Sequence, residues 1–331
     1  MTTALLAAAL VASLTLYVLF GGADFGGGVW ALLAVGPRAE RQRDTIARAL
    51  APVWEANHVW LVLAIVILFT GFPSAFAAIA TALHVPITLL LFGIVFRGAA
   101  FIFRAYGGAG RRPNRSWGQV FALASAVTPL LIGMIVGALT EGHIHIARGQ
   151  VQDLFSSWTT PFCVLAGVFA VSLFAFLAAV YLTLEADSPA LADDFRRRAL
   201  WSGGAVAVTA LAVVLAAPAE VRFGLTMSFW SPPLHVATGA CAVLVFVCLY
   251  ARAFRWARIT AAAQVSCIVW GWALVQYPFL IRPDVTAHGA AAPAATIRLL
   301  LVLLGVGALV LFPALAYLYS VFDPASRHHE E

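Results

Sequence analysis

Two ionisable side chains, Glu55 and His58, lie three positions apart at the start of a long apolar stretch. They belong to the string WEANHVW at residues 54–60, and the apolar run continues to Phe72. Side chains three apart occupy the same face of a helix, so these two can share a proton or a water molecule. We interpret Glu55 as a carboxylate that accepts and releases protons inside a membrane span. The alternative is a buried carboxylate that is permanently paired and purely structural.

A second carboxylate, Asp24, lies in the string GGADFGGG at residues 21–28, inside the first apolar segment. Five glycines around one aspartate allow close packing of helices or a local break. Two interpretations stay open. Asp24 forms a hydrogen bond to a neighbouring helix that the glycines seat, or it belongs to a proton path.

One arginine, Arg97, lies about two turns inside the end of the third apolar segment. Its charge can snorkel to the membrane surface, or it can neutralise Asp24 or Glu55. A charged side chain at the bilayer centre costs roughly 2.5 to 3.5 kcal/mol, so intramembrane charges usually face protein or water. Three such charges at one depth on consecutive spans favour a shared polar site.

The elements that position these residues are predicted to be membrane-spanning helices. Hydrophobic residues make up 62% of the 331 positions, charged residues make up 11%, and the mean hydropathy is +0.93. A helix needs about 20 apolar residues to cross a bilayer. Since the intervening loops are short, we predict one all-α polytopic membrane domain over residues 1–331. Its nine spans cover residues 4–35, 51–72, 75–103, 118–140, 160–184, 199–219, 234–251, 259–280 and 297–322.

The distribution of arginine predicts the orientation of the chain. All twenty basic residues are arginine, and fifteen of them fall in alternate loops or at the C-terminus. The positive-inside rule then places the N-terminus outside and the C-terminus in the cytoplasm. Orientation also explains the net charge of +5 better than nucleic-acid binding does, so no nucleic-acid partner is predicted.

Metal and haem ligands are not indicated by this sequence. Glu-x-x-His pairs occur in metal-binding bundles, where facing helices repeat them, but this pair occurs once. His58 and His84 are interpreted as hydrogen-bonded core residues rather than haem ligands. The four cysteines fall in apolar segments without metal-type spacing, so we interpret them as small core residues.

These residues together resemble subunit II of the cytochrome bd quinol oxidases, over nearly the whole chain. The string at residues 54–60 is the most specific element of the resemblance. The matching stretches are GGADFGGG at 21–28, APVWEANHVW at 51–60, Phe72-Pro73, Phe96-Arg97-Gly98, Thr128-Pro129 and Trp272 to Pro278.

The resemblance implies nine spans arranged as two four-helix bundles plus one peripheral helix. It implies a pseudo-symmetric heterodimer with subunit I, which holds two b-type haems and one d-type haem, oxidises quinol and reduces oxygen to water. Subunit II is implied to be a scaffold without haem that contributes a cytoplasmic proton route. In that route Glu55 is the key carboxylate, Asp24 a second acid, Trp54 a neighbour of Glu55, and Arg97 an electrostatic partner.

One departure from the family is Glu55, because many members have aspartate there; the titratable group is retained. A structural quinone occurs in some members, and the sequence decides neither that nor whether a small single-span subunit is present. Two other functions stay open. One is a stand-alone proton-coupled transporter, which also uses intramembrane charges. The other is a haem-binding catalytic subunit, which would show Soret absorption when this chain is expressed alone.

Overall fold

A computed structural model describes residues 1–50, 54–105, 115–144, 146–147, 150–151 and 155–322. Within these ranges the side chains of residues 54–56, 104–105, 115, 146–147, 150–151, 316 and 318–322 are not described. The described chain is almost entirely helical, with two short β-hairpins.

The helices and strands follow one another in a simple order along the chain. The helices are α1 Thr2–Leu32, α2 Ala39–Leu50, α3 Trp54–Gly71, α4 Pro73–Ala82, α5 His84–Ala105, α6 Arg115–Glu141, α7 Pro161–Glu185, α8 Pro189–Ala216, α9 Ala219–Met227, α10 Ser231–Tyr250, α11 Phe254–Gln276 and α12 Ala294–Phe322. The strands are β1 Ile146–Ala147 with β2 Gln150–Val151, and β3 Phe279–Ile281 with β4 Val285–Thr286, each pair antiparallel.

Membrane spans account for most of these helices. Among the described residues, eight helices are long and apolar enough to cross a bilayer by themselves, and α3 with α4 forms a bent pair that can supply the ninth crossing. The prediction of a polytopic all-α protein with about nine spans is therefore confirmed, and the chain is a multi-pass protein of the plasma membrane.

The predicted third span, residues 75–103, needs a correction. The structure divides it into α4 and α5, and α4 turns away from α3 by 117°. Pro73 explains the first break, because proline lacks an N–H and disfavours a helical conformation in the residue before it. Proline is well accommodated where it stands, at the first position of α4. At the second break, Nδ1 of His84 lies 3.1 Å from the carbonyl oxygen of Thr81.

The long helices group into two bundles, as expected. Helices α1, α3, α5 and α6 form one bundle and α7, α8, α10 and α11 form the other, with α12 at the periphery against α1 and α3. Helix α6 packs against α7 across the two bundles, and helix α1 joins them as well, since it packs against α7 and α11. Its second half, from Gly21 onward, is therefore the most buried part of α1.

Glycine permits the close approach of α1 and α7. A Cβ atom on Gly26 would overlap the backbone carbonyl oxygen of Phe174. No side-chain rotation relieves an overlap with backbone, so glycine is the residue that allows this contact. The string GGADFGGG is thus a packing surface as well as the carrier of Asp24.

Helix α2 closes one end of the bundles, and we call this end the arginine-rich end. It comprises α2, the ends of α1 and α7, and the starts of α8 and α11. Arg43 donates hydrogen bonds to the carbonyl oxygens of Ala31 and Ala34, at 3.2 and 2.7 Å, which satisfies the C-terminus of α1. Helix α2 is thus tied to the C-terminal end of α1.

Candidate functional site

The predicted charges Asp24 and Arg97 form a buried ion pair between α1 and α5. Nη2 of Arg97 lies 3.2 Å from Oδ1 of Asp24, and the two side chains are 2% and 1% exposed. The same Nη2 donates a hydrogen bond to the backbone carbonyl oxygen of Asp24 at 3.2 Å. Arg97 therefore does not snorkel to the membrane surface. Of the two carboxylates that the sequence left open as its partner, Asp24 contacts it, and the side chain of Glu55 is outside the described residues.

Several neighbours hold Arg97 in this position. Its Nε donates to Oγ of Ser125 on α6 at 3.2 Å, and Ser125 in turn donates to the carbonyl oxygen of Phe121 at 2.7 Å. The guanidinium lies over the rings of Phe25 and Phe121, 4.7 and 5.3 Å from the centroids. Gly28 leaves the space for Ser125, because a Cβ atom there would overlap its hydroxyl oxygen.

The carboxylate of Asp24 keeps unused hydrogen-bonding capacity. Although it pairs with Arg97, neither carboxylate oxygen has a hydrogen-bond partner of good geometry among the described residues. A buried carboxylate that lacks such partners is costly unless water or a proton satisfies it. The two oxygens of Asp24 are therefore open to a further hydrogen-bond donor such as water.

Polar side chains of α1 and α3 surround the ion pair. The ring of His58 lies between Tyr17 and Phe25, with centroid distances of 6.3 and 6.2 Å. Asn57 donates to the carbonyl oxygen of Phe20 at 3.4 Å. The Tyr17 hydroxyl, Oδ1 of Asn57 and Nδ1 of His58 are buried without a partner among the described residues. Such a cluster of unsatisfied groups is the kind that ordered water satisfies in proteins.

A cavity of about 110 Å³ adjoins Asp24. A water molecule needs roughly 10 to 15 Å³ of such volume, so there is room for several. The cavity extends between α1, α2, α3, α7 and α11 toward the arginine-rich end. Its walls are formed by Phe20, Ala23, Asp24, Gly27, Ala49, Leu50, Asn57, Ala178, Tyr181, Leu182, Glu185 and Arg258.

The predicted site residues divide into two groups. Asp24, Arg97 and His58 come together around one buried polar region. Glu55 and Trp54 lie at the start of α3, but their side chains are outside the described residues. The shared helix face of Glu55 and His58 consequently stays a prediction.

Sequence reasoning missed three members of the region: Ser125, Asn57 and Tyr17. Serine and tyrosine are common in membrane helices, and nothing local marks the ones that contact a charge. Asn57 carried a signal, because an amide between Glu55 and His58 in an apolar helix is itself costly to bury.

Metal-binding groups are not assembled in the part of the chain that the structure describes. No three side chains of the types His, Cys, Asp and Glu lie together there with metal-binding geometry. His84 uses its Nδ1 at the Thr81 carbonyl oxygen, and the four cysteines are free.

The chain is similar to known proteins over nearly its whole length. A family described as "Cytochrome bd terminal oxidase subunit II" matches residues 2–322. The chain is similar to the "Putative cytochrome bd menaquinol oxidase subunit II" of Bacillus subtilis (strain 168), with 22% identity covering 95% of this chain and 93% of the relative. It is 30% identical to the "Cytochrome bd-I ubiquinol oxidase subunit 2" of Escherichia coli (strain K12), across 45% of this chain and 40% of that one.

A solved structure has the same fold. A chain of the bd oxidase from Geobacillus thermodenitrificans superposes with a TM-score of 0.79 at 23% identity, covering 97% of this chain and 99% of that chain.

Proposed function

Because the chain belongs to the family of cytochrome bd terminal oxidase subunit II, we propose that it provides a cytoplasmic proton route within a quinol:oxygen oxidoreductase. In this proposal the chain binds no haem and scaffolds a haem-bearing partner. The partner reduces oxygen, and this chain brings the protons.

The observation that carries the proposal is the environment of Asp24. Its carboxylate is 1% exposed, pairs with Arg97 and also lines the cavity toward the arginine-rich end. Arg97 contacts one side of the carboxylate, and the cavity leaves room for water beside it. Ionisable residues placed in this way inside a membrane commonly belong to ion and proton pathways.

The direction of the route follows from the orientation that the arginines predict. With the N-terminus outside, the arginine-rich end faces the cytoplasm. Reduction of one oxygen molecule to two waters consumes four protons and four electrons. Two quinols supply the four electrons and release their own protons. If the consumed protons come from the cytoplasm and the quinol protons leave outside, the reaction charges the membrane.

The partner in this proposal is subunit I, bound side by side as a pseudo-symmetric heterodimer. Two b-type haems and one d-type haem in subunit I supply the electron transfer and oxygen chemistry. A structural quinone and a small single-span subunit are additions that the chain leaves open.

Within the route, Glu55 remains the proposed principal carboxylate, with Trp54 beside it. Both lie on α3, the helix that brings Asn57 and His58 to the region of Asp24. His58 is proposed to orient water near Asp24, because its Nδ1 is buried and lacks a partner among the described residues.

The experiment that tests the proposal is Asp24→Asn in the assembled complex. We expect the haem spectrum to persist and quinol-driven oxygen consumption to slow. Asp284→Asn is the control, since it removes an exposed carboxylate from the β3–β4 hairpin at the opposite end. Wild-type turnover of Asp24→Asn would contradict the proposed proton route.

A further inference from the structure

The cavity beside Asp24 connects a buried acid with an exposed one. Asp24 and Asn57 form its buried end and are 1% and 3% exposed. Glu185, the last residue of α7, and Arg258, near the start of α11, line it at the arginine-rich end, and both are exposed. One continuous space therefore has a carboxylate at its buried end and another at the surface.

Unsatisfied atoms at the buried end indicate what fills this space. Both carboxylate oxygens of Asp24 and Oδ1 of Asn57 are buried without a hydrogen-bond partner among the described residues. Because all three atoms belong to residues of the cavity wall, water is the ligand that satisfies them. The volume of about 110 Å³ is enough for a short chain of waters.

The mouth of the cavity differs from the rest of the arginine-rich end. Asp187, Asp193 and Asp194 each form an ion pair with a neighbouring arginine. Glu185 forms no such pair with any described residue, and Arg258 lies with its guanidinium over the ring of Tyr181, 4.8 Å from the centroid. An unpaired carboxylate at a protein surface attracts protons and exchanges them with solvent.

We infer that Glu185 is the surface group that captures protons for the route, and that Asn57 positions the waters between Glu185 and Asp24. This inference rests on the proposed function and names the entry of the same route. Among the side chains that the structure describes, the charged or titratable groups that face the cavity are Asp24 on α1, Tyr181 and Glu185 on α7, and Arg258 on α11. Helix α2 presents only Ala49 and Leu50, and α3 presents Asn57.

The test is the pH dependence of turnover in the purified oxidase complex. In Glu185→Gln, the decline of turnover at alkaline pH is expected to move to lower pH by about one unit. A shift of that size corresponds to a roughly tenfold slower capture of protons, because a tenfold higher proton concentration restores the rate. Glu185→Asp keeps the carboxylate, so its profile is expected to match the wild type. The haem spectrum serves as the measure of assembly in each variant.

The matched control is Asp187→Asn, which removes the same charge two residues further on. Asp187 is 56% exposed and pairs with Arg48 rather than lining this cavity. Its profile is expected to stay at the wild-type position. An equal shift in Asp187→Asn would overturn the inference, because general surface charge would then explain the effect.

A second variant tests the water chain itself. Ala23→Leu projects a larger apolar side chain into the cavity from α1, so turnover is expected to fall at every pH with the haem spectrum retained. Wild-type profiles for both Glu185→Gln and Ala23→Leu would overturn the inference. If Asp24→Asn is slow while these two are normal, the entry is wrong and the proposed function stands; wild-type turnover of Asp24→Asn contradicts the function.

Discussion

The guanidinium of Arg97 on α5 lies 3.2 Å from the carboxylate of Asp24 on α1, and both side chains are almost completely buried. A buried ion pair is weak support for stability, because desolvation of the two charges offsets their attraction. This pair is better explained by a need for a charge at that depth. Intramembrane ionisable residues commonly mark ion and proton pathways.

A double variant separates the two roles of this pair. Asp24→Asn leaves Arg97 buried without its counter-charge, and breaking such a pair costs roughly 3 to 5 kcal/mol. Asp24→Asn with Arg97→Gln removes both charges, so thermal stability of the complex is expected to recover in part. Turnover is expected to stay slow in both variants, since neither has a titratable group at position 24.

The measurements for this pair are the thermal denaturation midpoint and oxygen consumption. Stability and turnover that recover together in the double variant would assign Asp24 a structural role only. Slow turnover in a stable double variant is the result that the proton route requires.

Packing of α1 against α7 predicts a sharp difference between two glycines. Gly26→Ala places a methyl group against the backbone of Phe174, and overpacking of this kind costs roughly 1 to 3 kcal/mol. Gly204→Ala on α8 is the control, because nothing lies within 4 Å of a Cβ atom there. We expect a lower denaturation midpoint for Gly26→Ala only. Equal denaturation midpoints for the two variants would show that α1 and α7 accommodate a methyl group at position 26 without loss of stability.

The arginine-rich end predicts unequal effects for two polar substitutions. Gln42 is 5% exposed, donates to Asp194 at 2.9 Å and accepts from Arg198 at 2.6 Å. Gln42→Leu leaves both partners short of a hydrogen bond and is expected to cost roughly 1 to 3 kcal/mol. Arg48→Ala removes a pair that is 64% and 56% exposed, so its effect on stability is expected to be much smaller.

Thermal denaturation in low and high salt tests this comparison. The effect of Arg48→Ala is expected to vanish in high salt, whereas that of Gln42→Leu persists because its contacts are partly buried. A larger loss of stability for Arg48→Ala than for Gln42→Leu would contradict this description of the end.

The role proposed for Glu55 gives a prediction that depends on the sequence, because its side chain is outside the described residues. Glu55→Gln is expected to slow oxygen consumption while the haem spectrum persists, and Glu55→Asp is expected to keep most of the activity because it retains a titratable group. Rates of the two variants with saturating quinol provide the measurement. If Glu55→Asp is as slow as Glu55→Gln, the length of the side chain rather than its proton decides the rate.

Much of the fold was predictable because apolar length and arginine placement act locally. The number of spans and their approximate positions follow from those patterns alone. The division of residues 75–103 into α4 and α5 was missed, since both halves are apolar and no proline or glycine stands at Leu83, where α4 ends.

The site was predictable only where a charge stood in an apolar segment. Asp24, Arg97 and His58 were found that way, although the sequence could not decide which carboxylate Arg97 contacts. Ser125 and the cavity were not predictable, because they depend on how α1 packs against other helices. Glu185 looks like any surface acid until its position at the cavity is known.

The most direct test of the central claim is proton uptake on the arginine-rich side of the complex. Fully reduced enzyme in oriented vesicles is mixed with oxygen while a pH dye reports on that side of the membrane. We expect proton uptake in step with oxygen reduction for the wild type, and delayed or lost uptake for Asp24→Asn with Arg97→Gln. Uptake at the wild-type rate in that stable double variant would contradict it.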